Sequence, residues 1–264
     1  MSSPRGNVLP MTEALFDIPA AEGSWHTGRV VGFDVETTSR YPSQARIVSA
    51  ALVVVDPGDP AGPRVREWLV NPGMPIPEET TAIHGISTAL AVAEGQDASE
   101  AVRQIAVELG KEFDAGSAVV AMNAPYDFTV LQHEAARHGV GMPEPRPVID
   151  PLVIDKQVDK YRPGKRTLTD LCGVYHVVLD EAHTAGADAL AAVEVALCLA
   201  EHYPQLQLPA EELHDLQVGW KADQAADFQQ FLRRRNPEAV IDGSWPLASA
   251  VPESSPSQDS PVTP

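Results

Sequence analysis

The chain has 264 residues, 44% of them apolar, enough for one sizeable core but not clearly for two. With 37 acidic against 19 basic residues its net charge is −18, which argues against a broad electrostatic grip on duplex nucleic acid. No run approaches the roughly 20 apolar residues of a membrane span and no apolar signal segment opens the chain, so a soluble, cytoplasmic protein is expected; Cys172 and Cys198, outside any CxxC, suggest neither a disulfide framework nor a zinc site.

Residues 1–27 contain Pro and Gly without hydrophobic period and read as a poorly ordered arm. The folded domain is expected over 28–202. It opens with an apolar run at 29–36 that reads as a buried strand and places Asp34 and Glu36 on one face, because strand side chains alternate. Two carboxylates held close together in an apolar setting repel each other, and a fold tolerates the pair when cations neutralise it. Metal binding is therefore the first expectation. Further strands are predicted at 46–55 and 65–70, punctuated by Pro57-Gly58-Asp59-Pro60 and Asn71-Pro72-Gly73.

A helix follows at 99–113, with Val102, Ile105, Ala106 and Leu109 on one face, then a buried strand at 119–122. The helix predicted at 126–138 carries Asp127 in its first turn. Residues 156–166 hold five basic residues against one acid, with Tyr161 available to stack on a base and Pro163-Gly164 marking a loop. A solvated loop with scattered charges fits the same stretch. Helices are predicted at 167–174 and 187–202, the second placing Asp188 in its first turn. For Asp127, Asp188 or His183 taken singly, a capping or dipole role is the commoner use. Taken together, strand ends and helix N-termini of an α/β fold converge on one crevice.

Residues 203–242 read as a linker and helical extension, with Leu213, Leu216, Trp220, Phe228 and Phe231 in a rough stripe that Gly219 weakens. Residues 243–264, rich in Pro and Ser, are expected to be disordered.

Three motifs now stand in order. Phe33-Asp34-Val35-Glu36-Thr37-Thr38, Asn123-Ala124-Pro125-Tyr126-Asp127 and His183-Thr184-Ala185-Gly186-Ala187-Asp188 resemble the three motifs of the DEDDh, or DnaQ-like, 3′-to-5′ exonucleases, the superfamily of the proofreading epsilon subunit of bacterial DNA polymerase III. Ile83-His84-Gly85-Ile86 is similar to a segment of its epsilon-like members. Ser39, Met122 and Thr184 depart from residues common in the family without removing a ligand or the base.

The resemblance implies an α/β domain with a ribonuclease H-like mixed sheet flanked by helices, a C-terminal helical extension and a disordered tail. It further implies a 3′-to-5′ exonuclease releasing nucleoside 5′-monophosphates from single-stranded or frayed DNA, in repair or proofreading. Asp34, Glu36, Asp127 and Asp188 would hold two Mg²⁺ ions, with Mn²⁺ as a substitute, and His183 would act as general base. Thr37, Thr38, His84, Asn123, Tyr126, Lys165 and Arg166 are the expected substrate contacts. Gln205-Leu206-Gln207-Leu208-Pro209 loosely resembles a sliding-clamp peptide, so a clamp or polymerase partner could engage 203–242; a linker whose leucines pack on the domain is the other reading. Short RNA is the rival substrate, and an accessory module acting by partner binding the rival function.

Overall fold

The computed structural model describes residues 23–179 and 183–249. Six strands form one mixed sheet in the order β4-β3-β2-β1-β5-β6. They are β1 (Val30–Thr37), β2 (Ile47–Val55), β3 (Arg64–Asn71), β4 (Gln96–Asp97), β5 (Ala118–Val120) and β6 (Val148–Ile149). The first three make an antiparallel meander, whereas β5 and β6 run parallel to β1 and β4 parallel to β3. The helices are α1 (Glu78–His84), α2 (Thr88–Glu94), α3 (Ala98–Asp114), α4 (Ala124–His138), α5 (Pro151–Val158), α6 (Leu168–Tyr175), α7 (Ala185–His202) and α8 (Ala210–Arg233). The α/β class and the mixed sheet flanked by helices are as the sequence led one to expect. Among the described residues no helix is long and apolar enough to cross a membrane.

The two faces of β1 dictate the layers. Val31, Phe33 and Val35 point into a core with Val102, Ile105 and Leu109 of α3 and Phe128 and Leu131 of α4, where the Phe33 and Phe128 rings lie 5.4 Å apart. Burying a side chain such as Phe33 contributes about 2–3 kcal/mol. Val30 packs instead into a second core with Val193, Val195 and Leu199 of α7. Its face-mates Gly32, Asp34 and Glu36 follow by alternation.

Gly32 lets α7 approach. A Cβ built there would lie 2.5 Å from the Ala189 carbonyl oxygen and 2.9 Å from Val193 Cγ2. Both are held by the helix and cannot yield cheaply. Gly32→Ala is expected to lower stability by about 3 kcal/mol and push the first turns of α7, with Asp188, away from β1. Thermal unfolding would measure it, and a wild-type Tm would contradict the close approach.

Sequence reasoning missed α1, α2, β4, β6 and α5, all short. A strand of two residues has no period to read, and Pro151 starts α5 at the helix position where its missing N–H costs nothing. Gly219, read as a weakness, does not interrupt α8. There Gln217 takes the Asp150 N–H at 2.7 Å and donates to the Val148 carbonyl at 3.0 Å, while His214 Nδ1 takes the Val148 N–H at 3.0 Å. The extension thus satisfies the free edge of β6, where unpaired backbone would otherwise invite association.

Two order expectations are corrected within the described residues. At 23–27, Trp25 is buried and donates its Nε1–H to the Leu206 carbonyl at 3.0 Å. At 243–249, Trp245 is 6% exposed, its ring 4.8 Å from that of His214, and the Ala248 N–H reaches Thr129 Oγ1 at 2.9 Å. One tryptophan in each segment buries enough apolar area to order a stretch that composition alone would leave free. Residues 1–22 and 250–264 of those expectations lie outside the described residues.

The leucines of Gln205-Leu206-Gln207-Leu208-Pro209 are also in use. Leu206 is fully buried, Leu208 packs against the α7 core, and the Leu208 carbonyl takes the Trp25 backbone N–H at 3.0 Å. This is the packed linker rather than a displayed peptide.

Candidate active site

Asp34 and Glu36 leave the C-terminal half of β1, and a register shift between Glu36 and Thr37 ends regular pairing with β2 there. Such a bulge re-aims the side chains that follow. Asp188 arrives from the first turn of α7, capped by the Thr184 side chain on the Ala187 N–H. One carboxylate oxygen from each of Asp34, Glu36 and Asp188 lies within 4.8 Å of the others. Asp127, in the first turn of α4, joins from the other side: its Oδ1 accepts the N–H of Val35, the residue between the two strand acids, at 3.2 Å.

The electrostatics of this cluster are unfavourable as it stands. Asp34 is half-buried and surrounded by protein; burial first, then the charges of Asp127, Glu36 and Asp188, hold its carboxyl well above the ordinary range. Burial and Asp188 push Glu36 up to about 7. Asp127 and Asp188 are raised by burial as well, against the N–H bonds that each accepts. Four acids biased toward the neutral form, all with oxygen donors, fit hard divalent cations, whose charge reverses that bias.

His183 precedes α7 on an exposed turn with φ of 73°, and its backbone N–H reaches Asp188 Oδ1 at 3.4 Å. The histidine is thereby tied to the carboxylate cluster.

The expected substrate residues divide into two groups. Near the acids, the Tyr126 hydroxyl donates to the Ser39 carbonyl at 2.6 Å and also touches Thr37 Oγ1; burial pushes this hydroxyl up to about 12. The backbone N–H of Thr38 is spent on the Arg46 carbonyl at 3.0 Å, and its hydroxyl takes the Arg46 N–H. Buried His84 accepts the Ile86 N–H on Nδ1 at 3.1 Å, which puts its proton on Nε2; that atom faces the Thr37 backbone without completing a hydrogen bond. Asn123 sits at φ of 60° ahead of α4 with no capping bond from its side chain.

Arg166 is a different matter. Its guanidinium is bound to the buried Asp155 carboxylate and donates to the Asp159 carbonyl at 2.5 Å, and Arg162 reaches the same Asp155 at 2.7 Å. The Tyr175 hydroxyl completes the set at 2.7 Å. A buried carboxylate must be paired, so this arginine, expected on phosphate, is engaged in anchoring the loop. Lys165 is exposed and is not brought to the acids by any contact.

Sequence reasoning overlooked Asp150. It is fully buried, and its carboxylate accepts the N–H groups of Asn123, Ala124 and Leu152, each at 3.0 Å, and Trp245 Nε1–H at 3.2 Å. It therefore fixes the turn that launches α4 and Asp127. An acid directly before a proline at a helix start was the available signal.

Comparison with known proteins agrees with this geometry. The RNase T exonuclease family model matches residues 31–196. A DNA polymerase III subunit epsilon-like protein of Rhodobacter capsulatus is 34% identical over 173 residues, which make up 64% of this chain but 23% of that protein. Exonuclease I is similar in fold at 19% identity and a TM-score of 0.56, over 68% of this chain and 42% of that one. Escherichia coli exonuclease I in complex with a dT13 oligonucleotide gives 18% identity and a TM-score of 0.57 over the same shares. The chain thus spans less than half the length of each of these proteins.

Proposed function

Because the chain belongs to the RNase T exonuclease family, we propose that it is a metal-dependent 3′-to-5′ exonuclease acting in the cytoplasm on single-stranded or frayed DNA ends. The observation that carries this reading is the convergence of Asp34, Glu36 and Asp188 within 4.8 Å, with Asp127 against the strand between the first two. Among the described residues it is the one acidic group of that kind, and burial and like charge together raise its carboxyls.

Asp34, Glu36 and Asp188 would hold one Mg²⁺ and Asp34 with Asp127 a second, Mn²⁺ substituting. When bound, such ions supply the positive charge that stabilises both the attacking and the leaving oxygen of a phosphoryl displacement. The residues of the chain do the rest. His183, tethered through Asp188, takes a proton from the attacking water as its oxygen bonds to phosphorus; the P–O3′ bond of the penultimate nucleotide breaks, and a nucleoside 5′-monophosphate leaves. Thr37, Tyr126 and His84, gathered beside the strand acids, are placed to contact the terminal nucleotide. The charge of −18 is no obstacle, because only an end is held and the cations meet the phosphate.

The test is to incubate the full chain with 5′-labelled single-stranded DNA and RNA of equal sequence, with Mg²⁺ or EDTA. Shortening from the 3′ end that requires metal is expected, the faster oligomer naming the sugar. Shortening of neither by folded protein would reject the reading. His183→Ala should lower turnover by about 10²- to 10⁴-fold. Near-normal turnover would remove His183 as the base.

A further inference from the structure

Beyond the acidic cluster, a groove of about 750 Å³ runs between α5 and α8, lined by Lys156, Lys160 and Lys221, by the acids Asp223 and Asp227, and by Phe228, Phe231 and Ile241. Two of its three cations are unspent: Lys160 pairs with Asp227 at 2.9 Å, but Lys156 and Lys221, both half-buried, form no ion pair among the described residues. The acids behind them are already satisfied, Asp150 by four N–H donors and Asp155 by two arginines and a tyrosine. Burial and the neighbouring Lys221 lower the Lys156 ammonium, outweighing the opposing pull of Asp150 and Asp155.

The aromatic side is equally unspent. Phe228 and Phe231 are 51% and 56% exposed, and their rings are nearly parallel, 12° apart in plane, with Arg234 over the outer one. Exposed parallel rings beside surplus ammonium groups match what a single nucleic-acid strand offers, bases on one side and phosphates on the other.

The groove is built on the same two helices that hold the turn before Asp127. Lys221 lies one turn after Gln217, about 6 Å along α8, and Lys156 about 9 Å along α5 from Asp150. Gln217 and Asp150 are bonded to each other, and Asp150 holds the turn before Asp127. We propose that the α5–α8 groove binds the single strand upstream of the end being cut, with phosphates on Lys156 and Lys221 and bases over Phe228 and Phe231. The assignment rests on the exonuclease reading above, and on charge it favours nucleic acid over an acidic peptide by supplying a stacking face as well.

Binding is measured apart from catalysis. With EDTA present, the full chain and two double variants, Lys156→Gln with Lys221→Gln and Phe228→Ala with Phe231→Ala, are titrated against a fluorescent oligothymidylate of roughly 20 nucleotides. The lysine pair should weaken binding about tenfold and flatten the dependence of log affinity on log salt by about 1.4, two phosphates' worth for a single strand. The phenylalanine pair should weaken it about tenfold without changing that slope. Equal affinity and slope in all three proteins, or tighter binding of polyglutamate than of the oligomer, would overturn the proposal. Hydrolysis of thymidine 5′-monophosphate p-nitrophenyl ester by the wild type, a substrate too short for the groove, reports on the catalytic reading alone. Loss of that hydrolysis with the binding pattern intact would overturn the exonuclease and leave the groove.

Discussion

Asp34→Asn is expected to lose at least about 10³-fold of metal-dependent turnover, equivalent to roughly 4 kcal/mol of lost transition-state stabilisation, while gaining stability in EDTA. Both effects follow from one position. Asp34 is the acid on which the charges of Asp127, Glu36 and Asp188 all act, so under the proposed function it would be the ligand that joins the cluster, and it is also a strongly repelled group in the metal-free protein. An amide keeps the shape, abolishes the charge and weakens cation binding. In EDTA the variant should melt above wild type by the equivalent of about 1–2 kcal/mol, because a buried like charge has been removed. Hydrolysis of a labelled oligomer together with thermal unfolding in EDTA would check the pair. An active variant refutes the metal assignment, and an inactive variant of lower Tm traces the loss to misfolding.

The second large effect is a reversal of pH dependence by metal. The acids of the cluster have folded values raised above their unfolded ones, so the folded state holds more protons than the unfolded state between those values. Stability is then fully present below about pH 4, where unfolded carboxyls are protonated, and is lost as pH rises through the folded values, which for Glu36 is about 7. Metal-free protein is expected to be less stable at pH 8 than at pH 5.5, by on the order of 2 kcal/mol after allowing for solvent screening of partly exposed groups. Saturating Mg²⁺ should remove the loss, because cations bind the ionised form that predominates at pH 8. Denaturant unfolding at the two pH values, with EDTA or Mg²⁺, measures it. Metal-free protein that gains stability toward pH 8 would contradict the raised carboxyls.

Where the sequence misled, the causes were specific. Residues 156–166 read equally as phosphate-seeking or as a solvated loop with scattered charges, and what neither reading gave is that Arg162 and Arg166 serve Asp155, an acid lying just outside that window and fully buried. Charge along a chain says nothing of which charges face each other. Trp25 and Trp245 ordered segments that composition assigned to disorder, since one large ring that finds a pocket outweighs several small polar neighbours. The Leu206 and Leu208 pair could be a peptide for a partner or a packed linker, and burial chose the second.

By itself the sequence determined the strand carrying Asp34 and Glu36, the long helices α3, α4 and α7, and the acids at their ends, because alternation and helical period are local properties written in residue spacing. Tertiary structure decided what those acids became. The close pass of α7 over Gly32 brought Asp188 to the strand pair, the Val35 N–H seated Asp127, and Asp150, held by α8 and Trp245, fixed the turn between them. Each is a contact between residues far apart in the chain, and only folding creates the low-dielectric crowding that makes carboxylates a site for cations.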